Sequence, residues 1–157
     1  MAAQAVGSKE SGIDDRVHFV GMIPYDRLPS YLGMCDAFVT ASVTEVHPLS
    51  VIESMATGLP VLGIDSPGVG DSVSDRETGL LATNDLASFT AKLTYLCTDR
   101  NLRTRWGRAA REASTQYDIA RTTKIMLSHY MRITENTKPI KQTFDERLMA
   151  VLEEFLK

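Results

Sequence analysis

The sequence predicts an α/β fold: a short parallel sheet of about four strands, helices on both faces, and a helical C-terminal third. Three observations predict it. Short apolar runs alternate with helical patterns through the first half, the order of a parallel sheet crossed by helices. Two of those runs, around Ala37-Phe38-Val39 and Val61-Leu62-Gly63-Ile64, are apolar throughout, as strands buried on both faces are. From Asp85 onward the apolar spacing is helical.

The bulk properties narrow the class. The 157 residues suit one domain and a single core. A net charge of −3 gives no sign of the basic patch that a nucleic-acid partner requires. Cys35 and Cys97 are the two cysteines, far apart and in no metal-ligand spacing, so a reduced, cytoplasmic chain and no metal are expected. No apolar run approaches the roughly 18 residues of a membrane span. The start, MAAQAVGSKESG, lacks the charged and apolar regions of a secretory signal.

The elements follow in order. Residues 1–12 read as a flexible or weakly helical start. Val17-His18-Phe19-Val20 is a β-rich run closed by Gly21, and Arg16–Val20 is the first expected strand. Pro24 to Met34 reads as a helix, with Tyr25, Leu28, Tyr31 and Leu32 on one face. The Ala37–Ala41 strand comes next. A helix then begins at Pro48, because proline is favoured at the first helical position, and ends at Gly58. Pro60 opens the following strand, where proline is tolerated. SPGVGDS, residues 66–72, reads as a glycine-rich loop. Glu77-Thr78-Gly79 reads as a turn and Leu80-Leu81-Ala82 as a short strand. Helices are expected over Asp85 to Thr98, Asn101 to Thr115 and Ile119 to Thr134. Pro139 breaks the pattern before a last amphipathic helix from about Phe144 to Phe155.

In parallel sheets ligands bind outside the carboxyl ends of the strands. The loops 42–47 and 66–72 both leave such ends, so the stretch TEVHPLSVIE, residues 44–53, carries the candidate site. A helix N-terminus presents unpaired amides and partial positive charge, which suits a phosphate. The amides of Leu49 and Ser50 and the Ser50 hydroxyl would face that anion. Glu45, in the loop ahead, could accept hydrogen bonds from sugar hydroxyls. Glu53 lies about 7–8 Å further along at 1.5 Å per residue, within reach of a ribose beyond a diphosphate. A plainer reading stands beside this one. Ser50, Glu53, Ser54 and Thr57 fall on one helix face and could simply be solvated, while Glu45 could complement the helix dipole. His47 fits an N-cap or packing position as well as a ligand contact, and Gly68-Val69-Gly70 is a lone GxG of little weight.

Glu45 and Glu53, with seven residues between them and followed by SMATGLPV, resemble the E-x7-E signature of retaining, family 4 (group 1) glycosyltransferases of the GT-B fold. VHFVG, LPSYLGMCDAFVTAS, Gly79-Leu80-Leu81 and Tyr130 resemble further stretches of that family, over roughly residues 12–134. The resemblance implies a partial Rossmann-like, three-layer, C-terminal donor-binding domain over 13–134, with 135–157 as a linker and C-terminal helix. It implies that Glu45 binds the donor sugar as the catalytic carboxylate. The Leu49 and Ser50 amides would hold the diphosphate and Glu53 the ribose. The backbone at Met22 and Ile23 would meet the base, and His47 would line the site. The implied reaction moves a hexosyl or related sugar from a nucleotide diphosphate donor to an acceptor hydroxyl, with no cofactor or metal.

Two departures shape the expectations. Val46-His47-Pro48 stands where the family carries small glycines. The acceptor half, and two central strands of the donor half with their basic residues, have no counterpart here. No Lys or Arg lies between Arg27 and Arg76 to neutralise a leaving diphosphate. The chain alone is therefore expected to be inactive. The open edge left at Ala37–Ala41 is expected to take Arg16–Val20, a complementing N-terminal half, or a second copy in a homodimer. Two other readings remain: a non-catalytic nucleotide-binding or partner module, and a fragment of a sugar-nucleotide epimerase of the same fold.

Overall fold

The computed structural model describes residues 10–136 and 153–154. The chain divides into two compact units, Met1–Gln116 and Tyr117–Lys157. The first unit is built on a parallel sheet of three strands, β1 (Phe38–Val39), β2 (Val61–Ile64) and β3 (Gly79–Ala82), in the order β1-β2-β3. Among the described residues these helices accompany it: α1 (Leu28–Leu32), α2 (Leu49–Ala56), α3 (Pro67–Ser72), α4 (Leu86–Thr98) and α5 (Arg100–Ser114).

The alternation of side chains along a strand splits the core in two. Val61 joins Val51 and Met55 of α2, Val69 of α3, Val73 and Ala110 of α5. Leu62, Leu80 and Ala82 join Leu96 of α4 with Leu102 and Trp106 of α5. Helices thus lie on both faces of the sheet, and α5 reaches both clusters. All four residues of β2 are buried, as its apolar run predicts for a strand with neighbours on both edges and helices on both faces.

The helix ends follow local rules. Thr57 caps α2, and Gly58 follows with φ +88°, a backbone region that disfavours a side chain. Leu59 N donates to Ser54 O at 3.1 Å and Gly58 N to Met55 O at 2.9 Å, the paired bonds of a Schellman ending. Gly58 also lets α5 approach closely, because Gly107 presents no Cβ to its carbonyl. Asp85 and Asp99 cap α4 and α5 by accepting from the amides of Ser88 and Leu102, at 2.8 and 2.9 Å.

The Ser88 amide, helped by the Thr83 hydroxyl, holds the Asp85 carboxyl below its usual range. A depressed folded-state value stabilises the fold above the unfolded pKa, and that stabilisation fades as pH falls through the folded one. Asp85→Asn keeps a capping oxygen without the charge. Its melting-temperature deficit against wild type should shrink as the solution is acidified through that range. A deficit independent of pH would show that the carboxylate contributes nothing as a charge.

Several elements differ from expectation. Arg16–Val20 forms no strand: Asp14–Arg16 is a short 3-10 turn and residues 17–24 are irregular. Phe19 and Val20 are exposed, and the segment does not pair with β1. β-propensity alone makes no strand without a neighbouring ladder to join. The sheet therefore has three strands among the described residues. β1 is an edge strand and only half-buried, with Val39 42% exposed. Phe38 N and Thr40 N donate to Pro60 O and Leu62 O of the neighbouring strand, so the Val39 N–H and C=O face away from it. SPGVGDS is not a loop: Pro67–Ser72 is helical, with Pro67 in its first turn after an extended Ser66. Pro48 is the N-cap of α2 rather than its first residue. Its ψ of 90° is not helical, while its carbonyl accepts from Val51 and Ile52. The helix expected over Pro24 to Met34 is a 3-10 turn, Tyr25–Arg27, running into α1.

In the second unit α6 (Ile119–Asn136) is a helix whose Met126, Leu127, Tyr130 and Ile133 are all exposed. The start at residues 1–9, the break at Pro139 and most of the helix expected over 144–155 lie outside the described residues. Among the described residues no helix is long and apolar enough to cross a membrane.

Candidate functional site

The two loops at the carboxyl ends of β1 and β2 meet. Ser66 Oγ donates to Ser42 O at 3.5 Å, and Gly68 N donates to Glu45 O at 3.1 Å. That second contact explains the glycine. A Cβ on Gly68 would lie 2.2 Å from Glu45 O, so only a bare backbone lets α3 support the Glu45 loop. The loop is held from within as well: Ser42 Oγ donates to Glu45 Oε1 at 3.2 Å, and Ser42 N to Thr40 Oγ1 at 3.2 Å.

Pro48 is buried and fixes the start of α2, while Leu49 and Ser50 are exposed. The N-cap residue of α2, Pro48, contributes no side-chain capping bond. The amides of Leu49 and Ser50 precede the first intrahelical bond, which Val51 makes to Pro48. The Glu45 carboxylate accepts from the Ser42 hydroxyl within its own loop. The far side of α2 is not a plain solvated face. Ser54 is fully buried and its hydroxyl donates to Ser50 O at 2.7 Å. Ser50 and Glu53 remain outward.

Glu53 is half-buried and accepts a hydrogen bond from the Tyr25 hydroxyl at 2.9 Å. The contact raises the Tyr25 phenol above its ordinary pKa, first through that bond and then through the negative charge of Glu53. Tyr25 and Glu53 line a pocket of about 210 Å³ together with Leu28, Pro29 and Leu32 of α1, Ala56 of α2 and its C-cap Thr57. Ile23 is half-buried and Met22 is 96% exposed, both in the irregular segment that ends at Tyr25. His47 is exposed and precedes the buried Pro48.

Of the expected residues, Glu45, His47, Leu49, Ser50 and Glu53 lie along α2 and the loop before it, while Met22 and Ile23 lie in the separate segment that leads to Tyr25. Three further residues take part: Tyr25, which the sequence places on an apolar helix face, Ser42, to which it assigns no role, and Gly68, which it offers only as part of a lone GxG. The proline before Gly68 was a usable signal, because a proline entering a helix places the next residue in its first turn.

Residues 7–113 match the family model for glycosyl transferases group 1. The chain belongs to this family. The sulfoquinovosyl transferase of Arabidopsis thaliana is 35% identical to it over 117 residues, 71% of the chain. The chain spans only 23% of that relative's length. Among solved structures, the C-terminal domain of a group 1 glycosyl transferase from Francisella tularensis superposes with a TM-score of 0.67 at 26% identity, covering 75% of this chain and 62% of that one. Anabaena HepE, solved with UDP and glucose, superposes with a TM-score of 0.75 at 20% identity, over 83% of this chain and 36% of that one. The Rossmann-like fold is thus that of the C-terminal domain of a GT-B glycosyltransferase. These comparisons carry the family and the fold.

Proposed function

We propose that this group 1 glycosyltransferase domain binds the nucleotide-sugar donor of a retaining transferase, which moves a sugar from a nucleoside diphosphate to an acceptor hydroxyl. The observation that carries the reading is the start of α2, where the Leu49 and Ser50 amides precede the first intrahelical bond, with Glu45 in the loop ahead and Glu53 on the outer face. The Leu49 and Ser50 amides hold the diphosphate there. Glu53 accepts from the ribose and Glu45 from the donor sugar. The segment at Met22 and Ile23 meets the base, and His47 lines the approach to the sugar. Without Lys or Arg between Arg27 and Arg76, the cation that neutralises the leaving diphosphate comes from outside this stretch. The acceptor side is expected from a complementing N-terminal half, with a second copy as the other arrangement.

Titration of isotope-labelled protein tests this. Nucleoside diphosphates should bind better than the matching nucleosides and shift the amides of Leu49, Ser50 and Glu53. Glu53→Ala should weaken both the nucleoside diphosphate and the complete nucleotide sugar by more than about tenfold, since a hydrogen bond to a charged group is worth about 1.5–3 kcal/mol. Glu45→Ala should weaken the nucleotide sugar alone. Equal perturbation by nucleoside and diphosphate, or equal losses for both ligands in the Glu45 variant, would overturn these assignments.

A further inference from the structure

We infer that Tyr25 is a positioning residue for nucleotide binding: its hydroxyl fixes the Glu53 carboxylate in the orientation that accepts a ribose diol. The inference rests on the reading of Glu53 as the ribose acceptor.

The geometry supports it in three steps. The Tyr25–Glu53 bond, at 2.9 Å, joins residues 28 apart in sequence and bridges the 3-10 turn before α1 to the outer face of α2. Both side chains line the pocket of about 210 Å³ between α1 and α2. Packing does not hold the phenol, because Tyr25 is 77% exposed. The hydrogen bond is thus what ties these two side chains to each other.

The stoichiometry of donors and acceptors decides between positioning and blocking. An ionised carboxylate offers about four lone-pair sites on two oxygens. Tyr25 uses one on Oε1. A ribose diol brings two O–H donors, and Oε2 remains open to both. The phenol therefore need not leave when a nucleotide arrives. Its effect is to remove rotamer freedom from a glutamate that binding would otherwise have to order. Restraint of one such side chain corresponds to a factor of roughly five in affinity.

The test uses paired ribo and 2′-deoxyribo nucleoside diphosphates: UDP with 2′-deoxy-UDP, then the GDP and ADP pairs, each titrated calorimetrically. The readout is the ratio of the two affinities, which reports the diol contact and is insensitive to a general loosening. Wild type should prefer the ribo form. Tyr25→Phe, which keeps the ring, should lower ribo affinity about fivefold and shrink the ratio. Leu32→Ala, which alters the same pocket without removing the hydroxyl, should leave the ratio unchanged. If Glu53→Ala abolishes the ratio while Tyr25→Phe matches wild type, the role given to Tyr25 is wrong and the ribose contact stands. A Tyr25→Phe variant that binds more tightly would make the phenol a competitor, which also overturns the inference. If Glu53→Ala keeps the wild-type ratio, or no pair binds, the ribose reading fails and takes this inference with it.

Discussion

Gly107→Ala is expected to destabilise the first unit by about 2 kcal/mol, although helix propensity alone argues the opposite. Gly107 lies inside α5, where alanine would ordinarily gain about 1 kcal/mol. A Cβ there would sit 2.1 Å from Gly58 O and 3.4 Å from Pro60 Cδ. Neither neighbour is a flexible side-chain tip. Gly58 is held at φ +88° by the Schellman bonds, and Pro60 leads directly into the buried strand β2. Relief requires α5 and α2 to separate by about 1 Å, opening the cluster of Met55, Val51 and Ala110. Overpacking of this kind costs about 3 kcal/mol, which outweighs the propensity gain. Urea unfolding should show the lower midpoint with an unchanged slope. A midpoint at or above wild type would show that the close approach of α5 to Gly58 does not limit stability.

Gly68→Ala should show the reverse balance, with a large functional loss and little loss of stability. A Cβ at Gly68 would also meet backbone, at 2.2 Å from Glu45 O and 2.9 Å from Val46 C. Here the backbone can yield, because Glu45, Val46 and His47 are exposed. The loop moves outward by about 1 Å and the change in stability stays within about 1 kcal/mol. The Gly68 amide bond to Glu45 O is lost with that movement. If Glu45 holds the donor sugar, nucleotide-sugar affinity should fall more than tenfold, at least matching Glu45→Ala, since a misplaced contact is no better than an absent one. The parent nucleoside diphosphate should be affected far less. Calorimetric titration of both ligands separates the cases. Loss of both ligands alike would point to damage at the α2 start rather than at Glu45.

The two substitutions mark the boundary of what could be read from the chain. Elements fixed by neighbours in sequence were legible: Gly58 closing α2, Pro60 opening β2, Asp85 starting α4, and the apolar run of β2 itself. Each depends on backbone conformation or on burial over a few adjacent residues. Elements whose state depends on a distant partner were not legible. Val17 to Val20 has the composition of a strand, but a strand needs an adjacent ladder, and none is formed. SPGVGDS has the composition of a loop, yet its glycines serve close approach: Gly68 meets the carbonyl of a residue 23 positions earlier. The candidate site divides in the same way. Glu45, Leu49, Ser50 and Glu53 share one helix start and were visible as a spacing. Tyr25 reaches Glu53 across 28 residues, and nothing in its own surroundings announces that contact.

The sheet also carries a gradient in solvent exchange. The buried β2 amides, hydrogen-bonded between two neighbours, should exchange with deuterium only through large-scale opening. Val39, in the adjacent strand, turns its N–H to the side where no strand pairs among the described residues. Its proton should be replaced without any unfolding. That single amide is therefore a reporter of assembly. A polypeptide adding a strand to β1 would slow exchange at Val39 and leave β2 as it was. Time-resolved labelling at one residue thus distinguishes the isolated sheet from an extended one.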